Sequence, residues 1–117
     1  MQLRHTRLGE ILVSSSGSTL FEFTRDCGNH DSCVSVKGCS HVWPALRASG
    51  KPTVGTGLRS SPLSTIDLAG GVKQLTYAGH PLYTYSGAYG AGETAYVGAK
   101  EFGGTWYALS ASGAAVK

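Results

Sequence analysis

The sequence predicts a small all-β protein, either a sandwich or a partly open barrel. Glycine contributes 17 of the 117 residues, while charged residues make up only 15%. A helical protein of this length would normally carry more Glu, Lys, Leu and Arg. Short apolar runs are separated by glycine- and serine-rich turns, and no segment keeps a helical hydrophobic period. The length suits one domain, residues 1–117, with a modest core.

The first part of the chain is predicted to form a hairpin followed by a separate strand. Residues 10–13 and 18–23 are the two predicted hairpin strands, and Gly17 supplies the positive φ of the turn between them. Residues 41–46 form the next predicted strand. Because Pro44 has no N–H to donate, that strand is expected at the edge of a sheet or at its start.

The second part of the chain shows a similar succession of strands and turns. A long glycine-rich loop at residues 86–104 interrupts it, and loops of that length within a compact domain are usually functional or mobile. The predicted strands of this part are, in order, residues 63–68, 72–77, 81–85, 105–109 and 114–116.

Two sequence matches at nearly equal offset indicate an internal repeat. Residues 43–50 match residues 106–113 at six of eight positions, an offset of 63. Phe21 and Phe23 correspond to Tyr83 and Tyr85 at an offset of 62. We infer a duplicated unit of hairpin, loop and Trp-containing strand, covering approximately 9–54 and 63–117. Because a single hairpin is marginal in water, two such units gain by packing their aromatic faces together. The competing explanation is that Gly-, Ser- and Ala-rich sequence readily resembles itself.

Charge and hydropathy exclude some classes of partner. The net charge of +3 comes from Lys and Arg scattered singly, so no basic run exists to bind a row of phosphates, and nucleic acid is not expected as a partner. No segment approaches the roughly 20 apolar residues of a membrane-spanning helix. The N-terminus lacks the apolar segment of a signal peptide. The protein is therefore either cytosolic or shown without a leader.

Several motifs together resemble a known family. They are the segment Leu-Phe-Glu-Phe-Thr-Arg-Asp at 20–26, the cysteines ahead of Trp43-Pro44, the segment at 75–85, and Phe-Gly-Gly-Thr-Trp-Tyr at 102–107. From about residue 9 to 117, the chain resembles the secreted-repeat family of predicted bacterial lipoproteins, a family of unknown function that is described by a Tyr-x-aromatic-x-x-Asp motif. Two positions depart from that motif: its Tyr is Phe21 here, and the acidic position of the second copy is Ala88.

The resemblance implies an exported protein, extracellular or associated with the cell envelope, with any signal or lipid anchor outside this chain. It implies no established reaction. In an exported protein, a disulfide between Cys33 and Cys39 is the expected use of the family's cysteine pair. Cys27 is additional to that pair. It is expected to be free, buried or available for an intermolecular disulfide, or else to pair with Cys39 by thiol–disulfide exchange. The connectivity stays open at this point.

A metal site is the alternative use of the same segment. Its five nitrogen and sulfur donors would suffice for tetrahedral zinc or for copper. Their spacing matches no standard zinc-finger pattern, and the only methionine, Met1, is unsuited to be the axial ligand of a blue-copper site. The candidate ligands are Cys27, His30, Cys33, Cys39 and His41.

Aromatic residues and one acid are the candidate binding residues. The aromatic rings could form a platform for a sugar ring or a cation, although such residues more often make up a core. Asp26 is expected to cap a turn through backbone N–H groups, and no second carboxylate is predicted nearby for paired acid–base chemistry. The aromatic candidates are Phe21, Phe23, Trp43, Tyr83, Tyr85 and Trp106.

The sequence thus favours a non-enzymatic, exported or envelope-associated β module without a cofactor. It is expected to bind an envelope ligand or protein through the loop at 86–104 and the loop around Asp26. The alternative is a metal-binding or redox accessory protein that uses residues 27–41. A third, weaker hypothesis is a hydrolase of envelope glycans that depends on Asp26.

Overall fold

The structure is a computed structural model that describes residues 2–6, 8–14, 17–26, 31–33, 36–47, 55, 63–68, 71–86 and 96–116. Within these residues the protein is built from short antiparallel strands and one helical turn, and the sheets do not close into a barrel. The all-β prediction is therefore confirmed. The elements are β1 Gln2–Thr6, β2 Gly9–Val13, β3 Phe21–Phe23, α1 Cys39–Val42, β4 Leu63–Asp67, β5 Lys73–Tyr77, β6 His80–Pro81, β7 Ala99–Glu101, β8 Gly104–Leu109 and β9 Ala115–Val116.

The described strands form three antiparallel sheets. Strand β1 pairs with β2, and β5 lies between β4 and β6. The third sheet is central and mixes the two halves of the chain, because β8 pairs with β3 on one side and with β7 and β9 from its own half. Neither half could therefore complete the central sheet alone.

Residues 62 or 63 positions apart make equivalent contacts. Phe21 lies opposite Ala108 of the second half, and Tyr83 lies opposite Ala45 of the first. Phe21 and Tyr83 lie opposite each other and exchange two backbone hydrogen bonds, of 2.8 and 2.9 Å. The two halves are thus related by an approximate twofold axis that passes between these two residues.

The hydrogen bonds that lead into this central pair follow the same relation. The Leu20 N–H donates to the Leu12 carbonyl at 3.1 Å, and the Leu82 N–H donates to the Leu75 carbonyl at 3.0 Å. Leu12, Leu20 and Leu82 are fully buried in one cluster. Burial of each leucine side chain contributes about 1.5–3 kcal/mol of transfer free energy to this contact between the halves.

Stacked tryptophans, one from each half, form the centre of the main core. The rings of Trp43 and Trp106 are nearly parallel, at an angle of 3°, with centroids 4.2 Å apart. Glu101 serves both indoles: its carboxylate accepts from Trp43 Nε1 at 2.8 Å and its backbone carbonyl accepts from Trp106 Nε1 at 3.3 Å. Both donors are thereby satisfied, as buried N–H groups must be.

The first predicted hairpin is only partly correct. Val13 and Thr19 pair as an isolated bridge, but the chain then leaves β2, and β3 pairs with β8 instead. Strand β1, which the sequence reasoning missed, takes the other side of β2. The segment Gln2–Thr6 is mostly polar and exposed, so it carries no hydrophobic alternation that would have revealed it.

Two further predictions are wrong in part. Residues 41 and 42 belong to α1, not to a strand, and only Ala45 and Arg47 of that region pair, as isolated bridges. The loop predicted at 86–104 contains strand β7. Residues 87–95 of that loop lie outside the described part of the chain. The hairpins β4–β5 and β8–β9 were predicted correctly.

Candidate functional site

The candidate site is built around Asp26, which follows β3 in a tight turn. The Asp26 N–H donates to the carbonyl of Phe23 at 3.0 Å, which closes the turn. Its Oδ1 then accepts from the backbone N–H of Ser32 at 2.8 Å and from the Ser32 hydroxyl at 2.6 Å. Asp26 therefore caps the segment that leads to Cys33, as short acidic side chains do in turns.

The second oxygen of Asp26 contacts the other half of the chain. The Tyr83 hydroxyl donates to Asp26 Oδ2 at 2.8 Å, and Tyr83 is fully buried. Hydrogen bonds to a charged acceptor are about twice as strong as neutral ones. A single carboxylate thus holds the disulfide-bearing loop of the first half and the Tyr83 strand of the second half together.

Two further carboxylates lie close to Asp26, which corrects the expectation that it stands alone. Asp31 is 4% exposed and Glu22 is 7% exposed. Burial raises the pKa of Asp26, hydrogen bonds from Ser32 and Tyr83 oppose that rise, and the charge of Asp31 adds to it. Burial, and then hydrogen bonding to Asp31 and the charge of Asp26, raise the pKa of Tyr83 far above its usual range. Tyr83 therefore remains protonated and acts as a donor.

Glu22 is a buried carboxylate, and one of its two oxygens, Oε2, has no hydrogen-bond partner among the described residues. Its Oε2 lies 3.2 Å from Nδ1 of His80, but accepts no aligned bond. Burial raises the pKa of Glu22, the His80 charge lowers it, and the Asp26 charge raises it again. Each negative charge in this region therefore makes ionisation of a neighbouring carboxyl group less favourable.

A cavity of about 260 Å³ opens beside this cluster. Pro44, Leu68 and Val72 supply part of its apolar wall. Asp31, Tyr83 and Arg47 supply polar groups. The cavity is therefore a largely apolar pocket with a buried acid, Asp31, and an exposed arginine, Arg47, among its lining residues.

The six aromatic candidates form the core of the molecule. Five of them are at most 3% exposed, and only Tyr85 is partly exposed. The ring of Trp43 packs against Trp106, Tyr85 and Phe21 at centroid distances of 4.2, 4.5 and 4.9 Å. Their faces are used in packing, so they do not offer the open platform that a sugar ring requires.

The cysteine–histidine segment contains the predicted disulfide. Cys33 and Cys39 are bonded, with Cα atoms 5.3 Å apart, and both are buried beneath Trp43. This bond takes two of the five candidate metal ligands out of their thiolate form. His41 is exposed on α1, and Cys27 and His30 lie outside the described residues. Among the residues that the structure describes, no group of three or more His, Cys, Asp or Glu side chains could hold a metal ion.

Sequence reasoning singled out Asp26 but missed its partners. Ser32 and Asp31 lie in an irregular segment with no local signature. Glu22 lies at a buried position of β3, where an apolar residue would be usual. The clue that could have identified Tyr83 was the internal repeat, since a twofold relation brings the aromatic pair of one half against that of the other.

The fold and the site define a class: a small all-β domain of two intertwined halves, with one disulfide and a buried carboxylate–tyrosine link. A family model described as a secreted repeat of unknown function matches residues 64–110. The match confirms the family resemblance over that segment, which includes Tyr83 and Trp106. No curated protein and no solved structure matches the chain. In the described part of the chain, no helix is long and apolar enough to span a membrane.

Proposed function

We propose that this protein is a non-enzymatic, exported β module that binds a small ligand in the cavity described above. Asp31 and Cys33 line one side of this cavity, and Leu68 and Val72, between β4 and β5, line another. The observation that carries the proposal is the combination of an apolar wall with a buried carboxylate in one cavity. Concave, mostly apolar sites with a few placed polar groups are the usual form of ligand sites. The secreted description of the matched family supports export.

The loop beside the cavity is held in place from several directions. Asp26 fixes Ser32, the disulfide joins Cys33 to α1, and the Trp43 N–H donates to the Cys39 carbonyl at 2.8 Å. A site fixed in this way loses little conformational entropy when a ligand binds. Both oxygens of Asp26 accept hydrogen bonds within the fold, which supports a structural role for this acid instead of a catalytic one.

Ligand-observed NMR with a chemically diverse fragment library tests the proposal. We expect a subset of fragments to bind to the wild-type protein and to lose binding in Val72→Phe, which fills the cavity from a partly exposed position. Ser64→Phe adds the same ring at an exposed position of β4 and should leave binding intact. If no fragment distinguishes wild type from Val72→Phe, this cavity is not a binding site.

Thiol titration tests the exported assignment. Protein folded and purified without reductant, then unfolded in denaturant, should show one reactive thiol per chain out of three cysteines, because Cys33 and Cys39 are bonded. Disulfides of this kind persist in oxidising compartments. Three reactive thiols would count against export.

A further inference from the structure

A buried glutamate and a half-exposed histidine meet where β3 adjoins β6. Glu22 is the middle residue of β3, and its side chain is only 9% exposed. His80 begins β6 directly after the tight turn at Ala78 and Gly79, and its side chain is 44% exposed. Glu22 Oε2 and His80 Nδ1 lie 3.2 Å apart, although the two residues are distant in sequence. The tertiary fold alone therefore brings these two atoms together.

The central contact between the halves determines this placement. Phe21 and Tyr83 lie opposite each other in antiparallel orientation and exchange two backbone hydrogen bonds. Glu22 directly follows Phe21, and His80 lies shortly before Tyr83 on the neighbouring segment. His80 is also paired with Tyr77 in the β5–β6 sheet. Both side chains are therefore carried by strands, which position a site more precisely than loops do.

The contact between the two side chains is not a hydrogen bond. Among the residues that the structure describes, Glu22 Oε2 has no hydrogen-bond partner. The charge of protonated His80 favours the ionised carboxylate, but Nδ1 is not aligned to donate to this oxygen. A buried carboxylate oxygen without a donor or a bound cation costs folding free energy. The nearby charge of Asp26 adds to that cost, since it opposes the ionisation of Glu22.

The separation of the two atoms suits two ligands of one metal ion. Neutral imidazole offers a lone pair at the nitrogen that lacks the proton, and a carboxylate oxygen offers another. Bonds of about 2.0–2.2 Å, at angles from about 90° to the tetrahedral value, place two ligand atoms roughly 2.8–3.5 Å apart. The observed 3.2 Å between Glu22 Oε2 and His80 Nδ1 lies within that interval. A cation held between them would give the buried oxygen the positive charge that it lacks.

The types of ligand select the type of ion. Imidazole nitrogen suits zinc, copper and nickel, whereas magnesium and calcium take oxygen ligands. A structural zinc site uses four protein ligands and a catalytic one uses three. Glu22 and His80 supply two, in keeping with the lack of any larger group of such ligands in the described part of the chain. Water therefore fills the other positions on the exposed side of His80, and such an ion exchanges readily.

We propose that Glu22 Oε2 and His80 Nδ1 bind a divalent transition-metal ion of the Zn²⁺ type in an exchangeable surface site. The site is separate from the cavity, whose lining residues include neither side chain, so it does not depend on the function proposed above. It is also separate from the cysteine–histidine segment at 27–41, where the disulfide removes two of the five candidate ligands.

Histidine-ring NMR during a titration with zinc chloride tests the site. Long-range ¹H–¹⁵N spectra distinguish the two ring nitrogens of each of the four histidines. We expect the Nδ1 signal of His80 to shift saturably while Nε2 keeps the proton, because Nδ1 is the nitrogen that faces Glu22. Magnesium chloride at the same concentrations should leave the ring signals of His80 unchanged, since magnesium takes oxygen ligands.

Three variants assign the ligands by isothermal titration calorimetry. His80→Ala removes a half-exposed side chain, and Glu22→Gln keeps the size of the side chain but removes its charge. Each should weaken zinc binding at least roughly tenfold, which is the loss that follows even when a hydrogen-bond partner of a metal ligand is removed. His41→Ala, exposed on α1, should leave the affinity unchanged. If Glu22→Gln does not fold, His80→Ala decides the assignment.

Three results would overturn the inference. Zinc binding that Cys27→Ser abolishes and His80→Ala leaves unchanged would assign the ion to the segment at 27–41. Equal shifts of the His80 ring with magnesium and with zinc would show only a general attraction of cations to Glu22. No saturable shift of that ring in millimolar zinc would leave Glu22 and His80 as an ion pair and nothing more.

Discussion

At the residue scale, the hydrogen bond between Asp26 and Tyr83 gives a common reason for two departures from the family motif. The bond joins the acid of one half to the tyrosine of the other. Its twofold equivalent would require a tyrosine at position 21 and an acid at position 88, at the same offset of 62. The sequence has Phe21 and Ala88 there, so both partners of the second bond are missing together. Ala88 itself lies outside the described residues.

The Asp26–Tyr83 bond should be measurable as a coupling free energy. Asp26→Ala leaves the Ser32 and Tyr83 donors without their acceptor and should lower the free energy of unfolding by roughly 3 kcal/mol. Tyr83→Phe removes one hydroxyl and should cost about 1–2 kcal/mol. Because the two side chains share a bond, the double variant should lose less than the sum, by about 1 kcal/mol, in urea denaturation.

A matched acid elsewhere provides the control for that cycle. Asp67 is exposed and pairs with Lys73 at 2.8 Å on the β4–β5 hairpin. An exposed ion pair contributes little, so Asp67→Ala should change stability by no more than about 0.5 kcal/mol. Fully additive effects of Asp26→Ala and Tyr83→Phe would show that the bond between them does not contribute to stability.

The buried acids should also determine how stability depends on pH. Burial raises the pKa values of Glu22 and Asp26 above their ordinary values of 4.5 and 3.8. The folded protein then binds more protons than the unfolded chain in the interval above those values. The contribution of these two carboxyl groups to the free energy of unfolding should therefore be fully present below their ordinary pKa values and should be lost as the pH rises through their folded-state pKa values.

Urea denaturation over a series of pH values measures this dependence. Glu22→Gln should reduce the slope, because its side chain no longer ionises, while the exposed Glu10→Gln should keep it. A stability that rises from pH 4 to pH 7 would show that favourable interactions of these carboxylates outweigh their burial.

At the scale of elements, β3 and β8 approach each other so closely that β8 requires a glycine at its first residue, Gly104. A Cβ at Gly104 would overlap the ring of Phe23, with Cδ1 at 3.0 Å, and would lie 3.1 Å from Arg25 Cβ. Overpacking of this kind costs about 1–3 kcal/mol. Gly104→Ala should therefore destabilise the protein by that amount, and Phe23→Leu should recover part of the loss.

A second glycine separates crowding from backbone strain. Gly98 has φ +92° and open space around the position of its Cβ, so Gly98→Ala should destabilise through its backbone alone. Phe23→Leu should give that variant no recovery. Thermal and urea unfolding of Gly104→Ala and Gly98→Ala, each alone and combined with Phe23→Leu, would test this. Equal recovery in the two combined variants would argue against crowding at Gly104.

The prediction of strands succeeded where the local sequence pattern determines the structure, and it failed where contacts between residues distant in sequence determine it. The β4–β5 hairpin alternates in sequence and is present in the structure. Residues 41–46 read as an apolar strand, but Gly38 with φ 82° and the Cys33–Cys39 bond close the chain into the turn of α1. The β propensity of Val42 does not prevail over this turn, because the whole propensity scale spans only about 1 kcal/mol.

At the scale of the whole molecule, the halves share their cores and should unfold together. Leu20 and Leu82 occupy equivalent positions, and both are fully buried in the same cluster. Leu20→Ala and Leu82→Ala should each lower the free energy of unfolding by about 2–5 kcal/mol. Each should also shift one common transition, since single domains of this size usually unfold cooperatively.

Tryptophan fluorescence and far-UV circular dichroism provide two probes of that transition. Trp43 and Trp106 report on the contact between the halves, and circular dichroism reports on all strands. The two curves should coincide in the wild type and in both leucine variants. Separate transitions, of which only one moves in each variant, would show that the halves fold independently.

The sequence by itself determined the fold class, the segment that bears the disulfide and the role of Asp26 as the cap of a turn, because composition, turn residues and motif spacing are local properties of the chain. The tertiary structure alone decided that β3 pairs with β8, that Tyr83 binds Asp26, and that Asp31 lines a cavity. These contacts join residues far apart in the chain. Their partners are chosen by the packing of two halves around a shared axis, and no local pattern encodes that choice.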